Sequence, residues 1–275
     1  MQIDTPIVLL LLIPAALITF IVFRPKWDKW RRQKVAETPF PKSWRQILRK
    51  NVPYFYRMPA DLQLQLKDKI QIFLDEKEFY GFEGLEITDE IRVTIAAQAC
   101  LLILNRDIEF YPKLKSIYVY PMAFVAKHKG VDSAGVLQEH HRVLSGESWE
   151  LGKVILSWKD SKEGGLDQED GHNVIIHEFA HQLDQATGAA NGAPFLANNS
   201  IKRWSEVFQK EFENLECQIR KGHKTLIDPY GATNPAEFFA VSSEVFFERT
   251  FELKQQHPDL YKELKDYYQL DPSVW

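Results

Sequence analysis

The sequence predicts an α+β domain with a small mixed sheet, preceded by one N-terminal transmembrane helix. Three observations carry that prediction. Residues 6–23, PIVLLLLIPAALITFIVF, are uncharged and just long enough to cross a bilayer as a helix. The short runs SIYVY, VLQEHHRVL and KVILSW have the β-branched and aromatic content of strands. Before and after them lie long stretches whose apolar residues recur at helical spacing.

In chain order, the apolar run leads into RPKWDKWRRQK, where Arg24, Lys26, Lys29, Arg31, Arg32 and Lys34 stand against Asp28 alone. Excess Lys and Arg marks the cytoplasmic flank of a spanning helix, with Trp27 and Trp30 at the interface, so the expectation is a single-pass membrane protein whose C-terminal part faces the cytoplasm. A cleaved signal peptide would carry its positive charge before the apolar core and a small-residue site after it, and the sequence has neither. The expected divisions are an anchor with a basic juxtamembrane segment (1–34), a tether containing Pro39, Pro41, Pro53 and Pro59 (35–59), and one folded domain (60–275).

Within that domain, Leu62, Leu66, Ile70, Phe73 and Leu74 mark a helix over 60–79, and 89–105 reads as a buried helix, apolar almost throughout. Strands follow at 116–120, 136–144 and 153–158, the last expected at a sheet edge. A helix over roughly 171–187 stops near Gly188. Ile201, Trp204, Phe208, Phe212, Leu215 and Ile219 line one face of a longer helix, and NPAEFFAVSSEVFFER starts another with Asn234 and Pro235 in the favoured cap and first-turn positions.

Composition narrows the function. With 45% hydrophobic and 26% charged residues, the chain has material for a packed core. Its two cysteines, Cys100 and Cys217, lie far apart in sequence and the first sits in an apolar run, so neither a disulfide framework nor a cysteine metal cluster is suggested and a reducing compartment is the simpler reading. The formal net charge is −4 despite the basic cluster near the N-terminus, so the folded domain is acidic. It lacks the basic stripe of a nucleic-acid binder, and anionic lipid headgroups are the expected partners of the basic cluster.

The chemistry concentrates in NVIIHEFAHQLD, residues 173–184. Four residues apart on a helix, His177 and His181 share a face and can point both imidazoles at one zinc ion, with Glu178 beside them as a general base. A catalytic zinc usually takes three protein ligands. The metzincin pattern would place a third histidine at position 187, but that residue is Thr187, so the ligand comes from further along. Glu237, Glu244 and Glu248 are available on the helix beginning at Asn234, although Glu237 also fits a capping box with Asn234. Asp184 reads equally as an acceptor for a ligand imidazole or as an ordinary helix-end residue. His140 and His141, adjacent on a strand, point to opposite faces and do not make a joint site.

HEFAHQLD, followed by NGAPF and by DPYGATNPAEFFAVSSEVFFE, resembles the Mlc titration factor A family of zinc peptidases. The spacing is also similar to that of the anthrax lethal factor metalloprotease domain, and VLSGESWELGKVILSW extends the match. The resemblance implies a zincin-like, gluzincin-type domain in which His177, His181 and Glu237 hold Zn2+, Glu178 is the general base and Tyr230 an active-site hydroxyl. It implies a peptide or protein substrate. It also allows a regulatory protein partner, with the chain titrating a transcription factor or a membrane partner and peptidase activity secondary. The N-terminal apolar run departs from the family's best-known soluble member.

Overall fold

The chain enters as one continuous helix, α1 (Thr5–Ala36), which runs without a break from the apolar stretch into the basic one. The computed structural model describes residues 5–275 except 107–109, 132–136, 145, 150, 151, 168, 189 and 197–199. Among the described residues no helix is long and apolar enough to cross a membrane. This corrects the expected transmembrane anchor, and with it the single-pass placement facing the cytoplasm. The physical reason lies in the basic segment. Instead of marking a membrane flank, Arg31 pairs with Asp75 at 2.6 Å and Arg32 with Glu76 at 2.7 Å, so the charged end of α1 docks on the helix α3 (Ala60–Glu76). The Arg32 guanidinium also lies 5.0 Å over the Phe110 ring.

Between these helices, the stretch read as a tether holds α2 (Lys42–Asn51) and a 3-10 turn (Pro53–Tyr56), and Leu48, Val52 and Phe55 are buried in the core. The helix α3 turns the apolar stripe Leu62, Leu66, Ile70 and Phe73 inward. After the short strand β1 (Glu78–Gly81), Thr88 caps α4 (Asp89–Leu101) by accepting a hydrogen bond from the Ile91 amide. Nearly every side chain of α4 from Ile91 onward is buried, which its apolar composition requires.

The strands are β2 (Ser116–Tyr120), β3 (Phe124–Val131), β4 (Leu137–Leu144), β5 (Gly146–Trp149) and β6 (Lys153–Ser157). They form a sheet in the order β1-β2-β6-β5, in which β1, β2 and β6 run parallel and β5 antiparallel. Two strand expectations change. The run around His140 and His141 does not join this sheet but pairs with β3 in a separate hairpin, and β6 lies inside the sheet with β5 as its edge. The expected α+β balance is corrected as well, since the molecule is mostly helical around a small parallel core of three strands. Strands of four or five residues bury little surface, so the helices supply most of the core.

The second half is helical: α5 (Trp158–Leu166), α6 (Val174–Asp184), α7 (Ile201–Arg220), α8 (Pro235–Glu248), α9 (Thr250–Gln256) and α10 (Pro258–Tyr268). The helix α6 packs against α4, α8 and the strands β5 and β6. Its Phe179 is fully buried, with ring centroids 5.8 Å from Phe73 and 4.9 Å from Tyr111. On the far side of α8, Phe238 and Phe239 meet Trp204 and Phe208 of α7. Together these contacts hold α6 and α8 side by side.

Candidate metal centre

Asn173 starts α6 by accepting a hydrogen bond from the Ile176 amide at 3.1 Å. Ile175, Ile176, Phe179, Ala180 and Leu183 are buried, and this packing leaves His177 and His181 on the face turned to α8. Opposite them, Asn234 caps α8 and Pro235 takes its first turn, so the Glu237 amide donates to Asn234 at 3.0 Å. The helix cap and the site therefore share a residue, and the reciprocal side-chain half of a capping box gives way to the histidines. The Glu237 backbone serves the cap while its side chain is free to turn toward the histidines.

Glu237 Oε2 lies 3.0 Å from His177 Nε2 and 3.2 Å from His181 Nε2, and the two ring nitrogens are 3.2 Å apart. Three donor atoms on two helices thus converge on one point, and among the described residues this is the His/Cys/Asp/Glu group able to hold a metal ion. Glu244 lies on the other side of His177, with Oε1 2.7 Å from Nδ1. Its other oxygen accepts from the Asn173 amide. Glu248, one turn further, accepts from Asn173 Nδ2 at 2.8 Å.

Electrostatics follow from this crowding. Burial works against a charge on His177, but the Glu244 carboxylate and hydrogen bonds to Glu237 and Glu244 outweigh it and hold the pKa well above the usual histidine range. Glu178, on the same helix and only 4% exposed, adds to that effect, so its carboxylate lies within electrostatic reach of the ring. Burial likewise opposes ionisation of Glu237, yet the two histidines hold its pKa below the carboxylate range. Glu248 is pushed up to about 9, chiefly by burial and then by Glu244, against the lowering hydrogen bond from Asn173.

Tyr230 sits on a 3-10 turn (Pro229–Ala232) whose start is fixed by Asp228, which accepts from the Tyr230 amide at 2.7 Å. The tyrosine is 39% exposed, and its ring centroid lies 6.1 Å from that of His177. Asp184 is buried and accepts from the Gly192 amide at 2.7 Å, which ties the NGAPF loop to the end of α6. Gly192 has φ +76°, and a Cβ there would meet the Pro235 carbonyl oxygen at 2.4 Å, so the loop can lie against the first turn of α8 only as glycine. His172 is exposed and 3.7 Å from Asp228, while His140 and His141 stand opposite His128 and Lys127 in the hairpin.

Sequence reasoning weighed Glu244 only as a rival ligand and gave Asn173 no role at the site. A signal for both was present. Glu237, Glu244 and Glu248 follow one another by seven and four residues, which places them along one stripe of α8, and Asn173 precedes His177 by one turn of α6.

Comparison with known proteins places this geometry in a lineage. The chain is 41% identical over 271 residues to an uncharacterized protein of Synechocystis sp., covering 98% of both. It is 31% identical over 252 residues to the Mlc titration factor A of Salmonella typhi and to that of Salmonella schwarzengrund, covering 90% of this chain and 92% of each relative. The family model described as glucose-regulated metallo-peptidase M90 matches residues 27–269, a span that takes in α6, α8 and every side chain described at the site. A match of that extent, over a helix pair that converges two histidines and a glutamate, makes the chain a member of the metallo-peptidase M90 family.

Proposed function

We propose that the chain is a zinc-dependent peptidase that hydrolyses peptide bonds with Glu178 as general base. The observation that carries this reading is the spacing of His177 Nε2, His181 Nε2 and Glu237 Oε2, 3.0 to 3.2 Å from one another. Zinc bonds of about 2.0–2.1 Å in tetrahedral geometry require ligand atoms roughly 3.3 Å apart. Two nitrogens and a carboxylate oxygen are also the donor set of many catalytic zinc sites.

Zinc held there would supply a Lewis acid that activates water and polarises the scissile carbonyl. Glu178 follows His177 directly on α6 and would take the proton from the attacking water, then return it to the leaving amine. Tyr230, part exposed and near His177, would donate a hydrogen bond to the developing oxyanion. The antiparallel edge strand β5, packed on α6, offers backbone groups to an extended peptide.

A second reading rests on the relatives. The name Mlc titration factor A describes a protein that titrates another, which favours a protein partner for this chain alongside, or in place of, a peptide substrate. One variant separates the two. Glu178→Gln preserves side-chain size and should keep zinc while turnover on a peptide library, read by mass spectrometry, falls at least about a hundredfold. Unchanged hydrolysis would remove Glu178 from the chemistry and leave the partner-binding reading in front.

A further inference from the structure

Two histidines face the same point, yet their outer nitrogens are treated differently. His177 Nδ1 meets Glu244 Oε1 at 2.7 Å, whereas His181 Nδ1 is buried and has no hydrogen-bond partner among the described residues. We propose that Glu244 is a positioning residue for the metal centre, fixing the His177 ring with its Nε2 lone pair toward the ion, and that Asn173 holds Glu244 in place for this task. The inference rests on the zinc reading above and extends it beyond the three ligands.

The chemistry of imidazole supplies the argument. A neutral ring has one nitrogen that donates and one that accepts, and a carboxylate at Nδ1 makes that nitrogen the donor. Once an ion displaces the proton from Nε2, that atom would turn its lone pair to the point shared with His181 and Glu237. Such partners fix ring orientation and raise ligand basicity.

Glu244 is itself held on both oxygens. It is 6% exposed, and its second oxygen accepts from the Asn173 amide. Asn173 is the residue that caps α6, and its carbonyl accepts from the His177 amide at 2.9 Å in the first turn of the helix. Its side-chain amide reaches Glu248 at 2.8 Å. One asparagine thus ties the start of the ligand-bearing helix to two glutamates of α8, and a rotation of either helix would break the Glu244 contact with His177.

A blander account is that Glu244 only satisfies the buried Asn173 amide. Zinc affinity by chelator competition on the full chain separates the two, together with melting temperatures of the zinc-stripped and zinc-loaded forms. Positioning predicts that Glu244→Ala weakens zinc about 10- to 100-fold and shrinks the rise in melting temperature that zinc produces. Glu244→Gln, which keeps an oxygen to accept from Nδ1, should recover most of the affinity.

A purely structural role would lower both melting temperatures equally and leave the zinc affinity unchanged, and that result would overturn the proposal. If Glu244→Ala fails to fold, Glu244→Asp takes its place, since a side chain shorter by one methylene cannot span the same gap, and undiminished zinc affinity in it would be equally fatal. A parent chain that binds zinc while Glu244→Ala binds it equally well refutes the positioning role alone. A parent chain that takes up no zinc refutes the metal reading with it.

Discussion

Two of the places where charged side chains cross between helices, α1 with α3 and α6 with α8, differ in their consequences. At α1 and α3 the Arg31–Asp75 pair is 49% and 37% exposed, and the Arg32–Glu76 pair 31% and 19%. At α6 and α8 the corresponding side chains of His177 and Glu244 are 13% and 7% exposed, and those of His181 and Glu237 9% and 17%. Contact distances are similar in both places. Water screens the first set, so each pair there is worth little, while the second sits where an unpaired charge is costly and each partner controls the protonation of the next. The buried pair of helices is therefore the one suited to chemistry, and the exposed pair to docking.

That contrast can be broken at its strongest point first. His181→Ala removes one of three converging donors, so zinc measured by elemental analysis should fall from one per chain to a trace. Full zinc content in this variant would dissolve the distinction between the two regions.

The next test concerns Glu248. Its pKa is pushed up to about 9 in the folded chain from an ordinary value near 4.5, so folding favours its protonated form. Its contribution to stability is fully present below about 4.5 and is lost as pH rises toward 9. Glu248→Gln carries no such charge and still accepts from Asn173. In urea unfolding of the zinc-stripped protein it should gain on the parent chain as pH rises, by up to about 5 kcal/mol at pH 8. A constant difference between pH 5 and pH 8 would refute the assignment.

The smallest effect belongs to the exposed region. Arg32→Ala removes a part-exposed pair with Glu76, and the expected loss is about 1 kcal/mol or less, reduced further by salt. A loss of several kcal/mol, unaffected by salt, would place the α1–α3 contact on the same footing as the metal centre.

Much of the site was legible in the sequence because its information is local. His177 and His181 share a face through helical periodicity alone, and Asn234 and Pro235 announce the start of α8 by their own backbone preferences. The helices over Leu62–Phe73 and Trp204–Leu215 were equally readable from their apolar stripes. The N-terminal segment was misread because an uncharged run followed by Lys and Arg is the same pattern whether the bases face lipid or pair with acids, and Asp75 and Glu76 lie more than forty residues away.

By itself, then, the sequence determined α3, α4, α6, α7 and α8, the cap of α8 and the pairing of two histidines on one turn of α6, since each depends on residues within a few positions of one another. Tertiary structure alone decided which glutamate of α8 faces the Nε2 atoms and which backs Nδ1. That choice is a rotation of one helix about its axis, set by where Phe238, Phe239 and Phe246 are buried. The strand order was decided the same way, with β5 rather than β6 at the edge, because pairing depends on which backbone groups meet across the chain. Distant packing energies, unlike helical period or cap chemistry, leave no mark in a short stretch of sequence.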